Sequence, residues 1–385
     1  MLLRYGGCNF SCFKEDFDVN LNLNKNCPEN ISKGLDYSSV MCIKGANGAG
    51  KTNALKPFAF LCSFASHSFS LKPDDLIPVE SFFNNNNPID LFAEFRIKNE
   101  DYRYEISLTP KKVISETLIK IEQETVLFLR KGNTLIQTDE AFEMLQTIHV
   151  LRPNASIFST AHQYQLPCID QFYDLFSSVI FNVGFYGFDD FKLDDIDKFY
   201  YENSPALAFT KSILKNFDTG ISDIVIQKYR DNEDGMVYYP VFHFDTEDGV
   251  KKLRLHHQSS GTRRLYHLLS QMFIIFSMAE ETEGFSRIWI ADELDLHLHS
   301  KITPEIIEFF ENSEANIQLL FSCQNDKIID RMGKYRTTLV NKEGNESYTY
   351  RLDELRSDLL RNNRTISRHY EAGSIGGVPN FEQRS

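Results

Sequence analysis

Eight residues, Gly45-Ala-Asn-Gly-Ala-Gly-Lys-Thr52, fit the pattern G-x-x-x-x-G-K-[ST] at every fixed position. The chemistry of that spacing is the capture of a polyphosphate. Gly45, Gly48 and Gly50 let successive backbone N–H groups approach phosphate oxygens that a side chain would keep away. Lys51 is placed to reach the β- and γ-phosphates, and the Thr52 hydroxyl to ligate Mg²⁺. Asn47 and Asn53, inside and just after the loop, complete the expected nucleotide-contact set. The competing reading is a chance glycine-rich turn, and the flanking elements argue against it. The apolar run Val40-Met41-Cys42-Ile43 reads as a strand, and Asn53 to Leu61 opens as a helix, whose N-terminus adds positive potential.

A second site of chemistry lies 240 residues later, where the apolar strand Ile288-Trp289-Ile290-Ala291 ends in Asp292-Glu293. Beside a phosphate loop, the first acid is expected to hold Mg²⁺ and the second to act as base toward water. Asp292 is therefore assigned to metal and Glu293 to catalysis, the alternative being a solvated acidic turn. No N-K-x-D guanine-reading motif occurs, which favours adenine and hence ATP. Ser259-Ser260-Gly261-Thr262, ahead of these acids, is a small-residue turn opening a helix. It reads equally as a second phosphate cradle or as a plain helix cap with Ser260 or Thr262 at the N-cap.

Other constellations are weaker. His256-His257 and His297/His299 lack the spacing of a helical metal pair, and no H-E-x-x-H exists. The seven cysteines form no C-x-x-C pair, so structural zinc is not expected. Arg356, Arg361, Arg364 and Arg368 near the C-terminus read as a nucleic-acid or acidic-partner contact, or as a solvated helix face salted by Asp353, Glu354 and Asp358.

These groups need a scaffold large enough to hold them. The 385 residues are 42% hydrophobic and 25% charged, which suits a folded core and not wholesale disorder. A net charge of -13 excludes coating of DNA by bulk positive charge but not a local basic patch. No signal peptide and no membrane-length apolar run is present, so a reduced, cytoplasmic protein without a membrane contact is expected. Residues 2–23 read as strand, turn, strand, and 24–37 as a loop. Strands are expected at 91–97, 102–108 and 113–121, then mostly helix from about 122 to 215. A hairpin is expected at 224–228 and 237–244. Helices at 262–278 and 304–312 alternate with the buried strands 287–291 and 317–321. Such alternation signals a parallel α/β sheet.

Taken together, G-x-N-G-x-G-K-T, S-S-G-T ahead of D-E, and Leu296-His297-Leu298-His299 resemble the ABC-type ATPase heads of the SMC, RecF and OLD class. A narrower resemblance is to RloA-like abortive-infection ATPases. It rests on Asn9-Phe10-Ser11-Cys12-Phe13-Lys14 against their N-F-x-S-F-K opening, with Cys12 in place of Ser. It rests also on the segment 353–361 and on Tyr370-Glu-Ala-Gly-Ser-Ile-Gly-Gly-Val-Pro379 against their Y-x-x-G-x-x-G-G-x-P ending.

The resemblance implies an α/β fold, an ABC-type P-loop ATPase head with a β-rich N-terminal lobe. It would divide as 1–115 (N-terminal lobe with the phosphate loop), 116–220 (mostly helical insertion) and 221–385 (C-terminal lobe with signature, acids and glycine-rich tail). It implies ATP and Mg²⁺ as cofactors, and a homodimer or higher homo-oligomer with Ser259, Ser260 and Gly261 acting in trans on the partner's γ-phosphate. It places Leu296 to His299 at the D-loop.

The implied function is an ATPase sensor or scaffold in bacterial antiphage defence, controlling an effector encoded by a neighbouring gene, such as a Toprim-type nuclease. No Toprim signature is visible here. The alternatives are a RecF/SMC-like DNA-repair or DNA-maintenance ATPase that binds nucleic acid, and a self-contained nuclease toxin. One departure concerns rate. Where the class carries T-T-H-N, this chain reads Phe321-Ser322-Cys323-Gln324-Asn325, so the uncharged amide of Gln324 replaces a His and slow hydrolysis is expected. Gln163 and Gln165 are the candidates for the Q-loop.

Overall fold

The strand Val40–Gly45 is the middle of a six-stranded sheet, and its sequence explains why. All six of its residues are buried, as a strand covered on both faces must be. In the computed structural model, which describes residues 1–189, 195–217, 219–231, 235–281, 286–313, 316–355 and 365–379, the sheet order is Glu346–Arg351, Thr337–Glu343, Val40–Gly45, Ile317–Ser322, Arg287–Ala291, Ile180–Phe181. Every neighbouring pair is parallel except the antiparallel edge strand Glu346–Arg351.

Successive residues of these strands feed two different cores. Met41, Ile43, Ile288, Ile290 and Leu320 face one, and Val40, Cys42, Trp289, Ala291, Leu319 and Phe321 face the other. The first core is closed by the phosphate-loop helix Lys51–His67 and by a second, antiparallel sheet. That sheet has seven strands in the order Phe17–Asn20, Leu2–Cys8, Ile89–Ile97, Glu100–Thr109, Lys112–Lys120, Thr125–Lys131, Thr134–Thr138. Helices Ser260–Glu281 and Ile302–Glu311 close the second core, with Ser204–Asn216 and the antiparallel strands Asp223–Asp231, Gly235–Thr246 and Gly249–Arg254 packed beyond them.

The phosphate-loop helix, the 89–121 meander and the 287–321 alternation fall where the sequence puts them. Three readings change. The expected helical stretch from 122 begins with two more strands, Thr125–Lys131 and Thr134–Thr138, because Gly132 with φ 56° makes a tight hairpin of Lys131 to Thr134. Helix then dominates from Glu140 to Asn216, broken by the short strands at Ile180–Phe181, Val183–Gly184 and Gly187–Phe188. The 223–246 hairpin gains a third strand, Gly249–Arg254, and the 24–37 loop contains a helical turn at Glu29–Ser32.

A buried ionic cluster ties the antiparallel sheet to the helical segment. The Glu116 and Arg130 side chains are fully buried and 3.1 Å apart. Glu116 also accepts from the Tyr104 hydroxyl (2.9 Å) and from the N–H of Ile157 (2.9 Å), at the start of helix Ile157–Gln163. Arg130 donates to the carbonyls of Gly132, Ala155 and Arg152 at 2.5–2.6 Å. Burial pushes the Glu116 carboxyl up, while Arg130 and the hydrogen bonds pull it back. Breaking such a pair from one side leaves an uncompensated charge. Arg130→Met is expected to cost about 3–5 kcal/mol in urea denaturation, and the Glu116→Gln/Arg130→Met double variant clearly less. Equal losses in the two variants would show that the charge pair is not what holds this junction.

Candidate functional site: a nucleotide cavity at the sheet edge

Parallel register brings the chemistry together. Cys42 pairs with Phe321, and Phe321 with Ala291, so the three strands end within three residues of one shared rung. The phosphate loop, Asp292-Glu293 and Gln324 therefore emerge side by side. They line one open cavity of about 400 Å³, with Cys12, Asn47, Gly48, Gly50, Lys51, Thr52 and Asn53 on its other walls. Of the residues expected at the nucleotide, only Ser259, Ser260, Gly261 and Gly45 are not on the cavity wall.

The loop is already in a receiving shape. Lys51 Nζ donates to its own loop carbonyls, Gly45 (2.9 Å) and Ala46 (3.2 Å), contacts that phosphate oxygens can replace. Burial, and then the nearby Lys44 ammonium, lower the Lys51 pKa. Gly50 has φ 110°, and a Cβ there would lie 2.6 Å from Cys12 Sγ, so only glycine fits. Cys12 reaches the loop from the turn Asn9 to Lys14, and its sulfur accepts from Asn53 Nδ2 at 3.2 Å. Asn9, at the head of that turn, clasps the 85–88 loop by bonds to Asn85, Asn87 and Pro88.

The acid pair divides its labour by geometry. Asp292 is buried, and its Oδ2 accepts from the Thr52 hydroxyl at 2.7 Å while Oδ1 accepts from Ser322. Thr52 and Asp292 thus present adjacent hard oxygen donors, the set that suits Mg²⁺. Glu293 is less buried and takes a left-handed backbone (φ 48°). Its N–H is held by Ser322 Oγ at 2.9 Å, and its Oε1 accepts from Gln324 Nε2 at 3.4 Å.

Three supporting residues escaped sequence reasoning. Asn182 follows the short strand Ile180–Phe181 and brackets Asp292: its Nδ2 donates to the Asp292 carbonyl (2.9 Å) and its Oδ1 accepts from the Asp292 N–H (2.6 Å). Asp295 accepts from the N–H groups of Gln324 (3.0 Å) and Asn325 (2.8 Å), coupling the acidic turn to the Gln324 loop. Ser322 bonds both acids. Ser322 sits within the Phe321–Asn325 motif already singled out and Asp295 between the acid pair and Leu296, which was a usable signal; Asn182 carried none. Gln163, the last residue of helix Ile157–Gln163, and Gln165, just past it, are exposed and do not line the cavity. The hairpin Val183–Gly184/Gly187–Phe188 packs beside the phosphate-loop helix, where the Phe185 carbonyl accepts from Lys56 Nζ (3.1 Å).

The turn at Ser259 sits elsewhere. Ser259 is itself the cap, accepting from the Thr262 N–H at 3.1 Å, which corrects the assignment of that role to Ser260 or Thr262. Ser259 and Ser260 are exposed. A Cβ on Gly261 would lie 2.8 Å from the His297 carbonyl, so the turn is pressed against Leu296 to His299. Among the described residues no His, Cys, Asp and Glu group forms a further metal cluster, and all seven cysteines are free. Arg356, Arg361, Arg364 and residues 356–361 of the family-like segment lie outside the described residues; Arg368 is exposed on helix Ile366–Glu371. Among the described residues, no helix is long and apolar enough to cross a membrane.

Strand order, phosphate loop and acid pair define an α/β protein of the P-loop nucleotide-binding class. Residues 40–330 match the AAA_21 family model, described as "AAA domain, putative AbiEii toxin, Type IV TA system", and the chain belongs to that family. No curated protein matches the chain in sequence. Among solved structures it is similar to one described as "Crystal structure of the SmcHead bound to the C-winged helix domain of ScpA", at 12% identity and a TM-score of 0.46, covering 92% of this chain and 98% of that one.

Removing the bracket around Asp292 tests whether its geometry matters. Asn182→Ala is expected to weaken Mg²⁺-dependent ATP binding about 10-fold and leave Mg²⁺-free binding in place. Calorimetric titration with and without Mg²⁺ reads this directly, and equal effects in both would remove Asn182 from the metal site.

Proposed function

We propose that this chain is an ABC-type ATPase head that binds MgATP, hydrolyses it slowly and works as a sensor or scaffold in bacterial antiphage defence, controlling a separate effector. The observation that carries the ATPase reading is the 2.7 Å contact between Thr52 Oγ1 and Asp292 Oδ2, with Glu293 next in the chain. It joins the two halves of a nucleotide site that lie 240 residues apart. The defence reading is supported by membership of a family whose description includes a toxin of type IV toxin–antitoxin systems.

In this reading Lys51 leaves the Gly45 and Ala46 carbonyls for the β- and γ-phosphates, and the loop N–H groups take the remaining oxygens. Thr52 and Asp292 would hold Mg²⁺, which offsets phosphate charge when bound. Glu293 orients and deprotonates water at the open side of the cavity. Gln324, within 3.4 Å of Glu293, donates a hydrogen bond without supplying charge, which supports a slow rate.

The exposure of Ser259 and Ser260, away from the chain's own cavity, favours a role across a head-to-head dimer. ATP would then favour the closed pair, and its hydrolysis the open one. A cytoplasmic setting and an effector from a neighbouring gene, such as a Toprim-type nuclease, complete the reading.

Lys51→Ala is expected to abolish ATP binding. Glu293→Gln should bind ATP normally, lose turnover by about 100-fold or more, and accumulate as a dimer with ATP in light scattering. Ser259→Arg should block that dimer while nucleotide affinity persists. Full turnover by Glu293→Gln would remove it as the base, and co-purification of DNA with strongly salt-dependent, DNA-stimulated turnover would favour the DNA-maintenance reading instead.

A further inference from the structure

A lysine stands where the sheet has least need of one. Lys44 directly precedes the phosphate loop on the central parallel strand, and its side chain is 2% exposed. Lysine is almost never fully buried without partners. An apolar residue of similar length would fill the same space, and buried ion pairs are weak sources of stability. Its contacts give a different reason for it.

Every donor of the Lys44 ammonium is spent on one loop. Nζ lies 2.8 Å from Asp326 Oδ1, and it donates to the carbonyls of Gln324 (2.6 Å) and Cys323 (3.3 Å). The same loop is gripped from the opposite side by Asp295, which takes the N–H groups of Gln324 and Asn325. Gln324 is thus suspended, N–H toward the acidic turn and C=O toward Lys44, with its amide 3.4 Å from Glu293.

Behind Lys44 stands the C-terminal segment. The Tyr370 ring centroid is 5.5 Å from Nζ, within the range at which a cation is attracted to an aromatic face. Tyr370 is itself fixed by the tail: its hydroxyl donates to the Gly377 carbonyl (2.7 Å), and Tyr350 donates to the Ile375 carbonyl (2.6 Å). The helix carrying it is pinned by Ser367, whose hydroxyl and N–H both bond Asp330 (2.6 and 2.9 Å), shortly after the Gln324 loop. The chain therefore runs unbroken in contacts from the glycine-rich tail to Tyr370, to Lys44, to the peptide of Gln324.

We infer that Lys44 is a positioning residue for Gln324, and that the C-terminal turn at 370–379 sets its grip through Tyr370, so that a load on the tail is read as a change in turnover. The inference rests on the reading of Gln324 as acting at the γ-phosphate end of an ATP site. It adds to that reading a place on the head where a partner would control the chemistry without touching the nucleotide.

The test uses the full chain and MgATP. Lys44→Met keeps the volume and removes the donors; kcat should fall about 10-fold while KM stays within about threefold. In that background Gln324→Ala should cause no further loss, although alone it lowers kcat to a similar extent. Tyr370→Leu should lower kcat about threefold, and Tyr370→Phe, which keeps the ring face but loses the hydroxyl bond to Gly377, should recover only part of that loss.

Losses from Lys44→Met and Gln324→Ala that multiply independently overturn this inference and leave the ATPase reading standing. A Gln324→Ala variant with parental turnover overturns this inference and the placing of Gln324 at the γ-phosphate, and again leaves the ATPase reading standing. Should Lys44→Met fail to fold, the Tyr370 pair decides: parental turnover in the Leu variant overturns the ring's hold on Lys44, and parental turnover in the Phe variant overturns the link to the tail.

Discussion

The parallel pairing of Val40–Gly45 with Ile317–Ser322, and of that strand with Arg287–Ala291, is the constraint on which the rest depends. Parallel strands all present their C-terminal ends at one edge, and a ligand site at that edge is a general property of open α/β sheets. Here three loops with unrelated sequences leave the sheet within one cavity. A slip of one residue in either pairing would carry Asp292 away from Thr52 and turn Trp289 out of its core. The register is held by apolar burial on both faces, far more than by any contact in the site itself.

The polar groups buried around the site finish one another's hydrogen bonds. Asp292, Ser322, Asn182 and Lys44 are all buried, and each meets named partners. Buried polar groups left unmatched are costly, so a matched set stiffens the positions it joins. Glu293 is one of several non-glycine residues with a left-handed backbone, held at φ 48°. Strained backbone of this kind persists where surroundings over-determine it. Here the Ser322 hydroxyl and the packed strand before it do so, and the result points a carboxylate at the open side of the cavity.

The two cores give the site two mechanical neighbours. On one face, the phosphate-loop helix packs between the sheets, which links the loop to the antiparallel lobe through Cys12 and the Asn9 clasp. On the other, the helix opening at Ser260 packs against Trp289 and its neighbours, and its first turn touches the His297 carbonyl. Arg264 on that helix is buried with its guanidinium 5.6 Å over the Phe188 ring, in the hairpin that follows Asn182. Movement of either helix is therefore felt at the acid turn through short, stiff connections.

The sequence by itself determined the chemistry. A phosphate loop is a local object, made by glycines, a lysine and a threonine at fixed offsets, and its strand and helix were legible from Val40–Ile43 and from Asn53 to Leu61. The acid pair was legible once the phosphate loop was found, because an apolar strand ending in two carboxylates takes its meaning from that loop. Tertiary structure decided what those residues touch. Asn182 is joined to Asp292 across 110 residues, and Lys44 to Gln324 across 280, by hydrogen bonds whose partners no local pattern encodes. The hairpin Thr125–Lys131/Thr134–Thr138 was hidden for a related reason: mixed apolar spacing fits helix or edge strand, and pairing with Lys112–Lys120 decides between them. Local spacing fixes what a residue can do, and long-range packing fixes which partner it does it with.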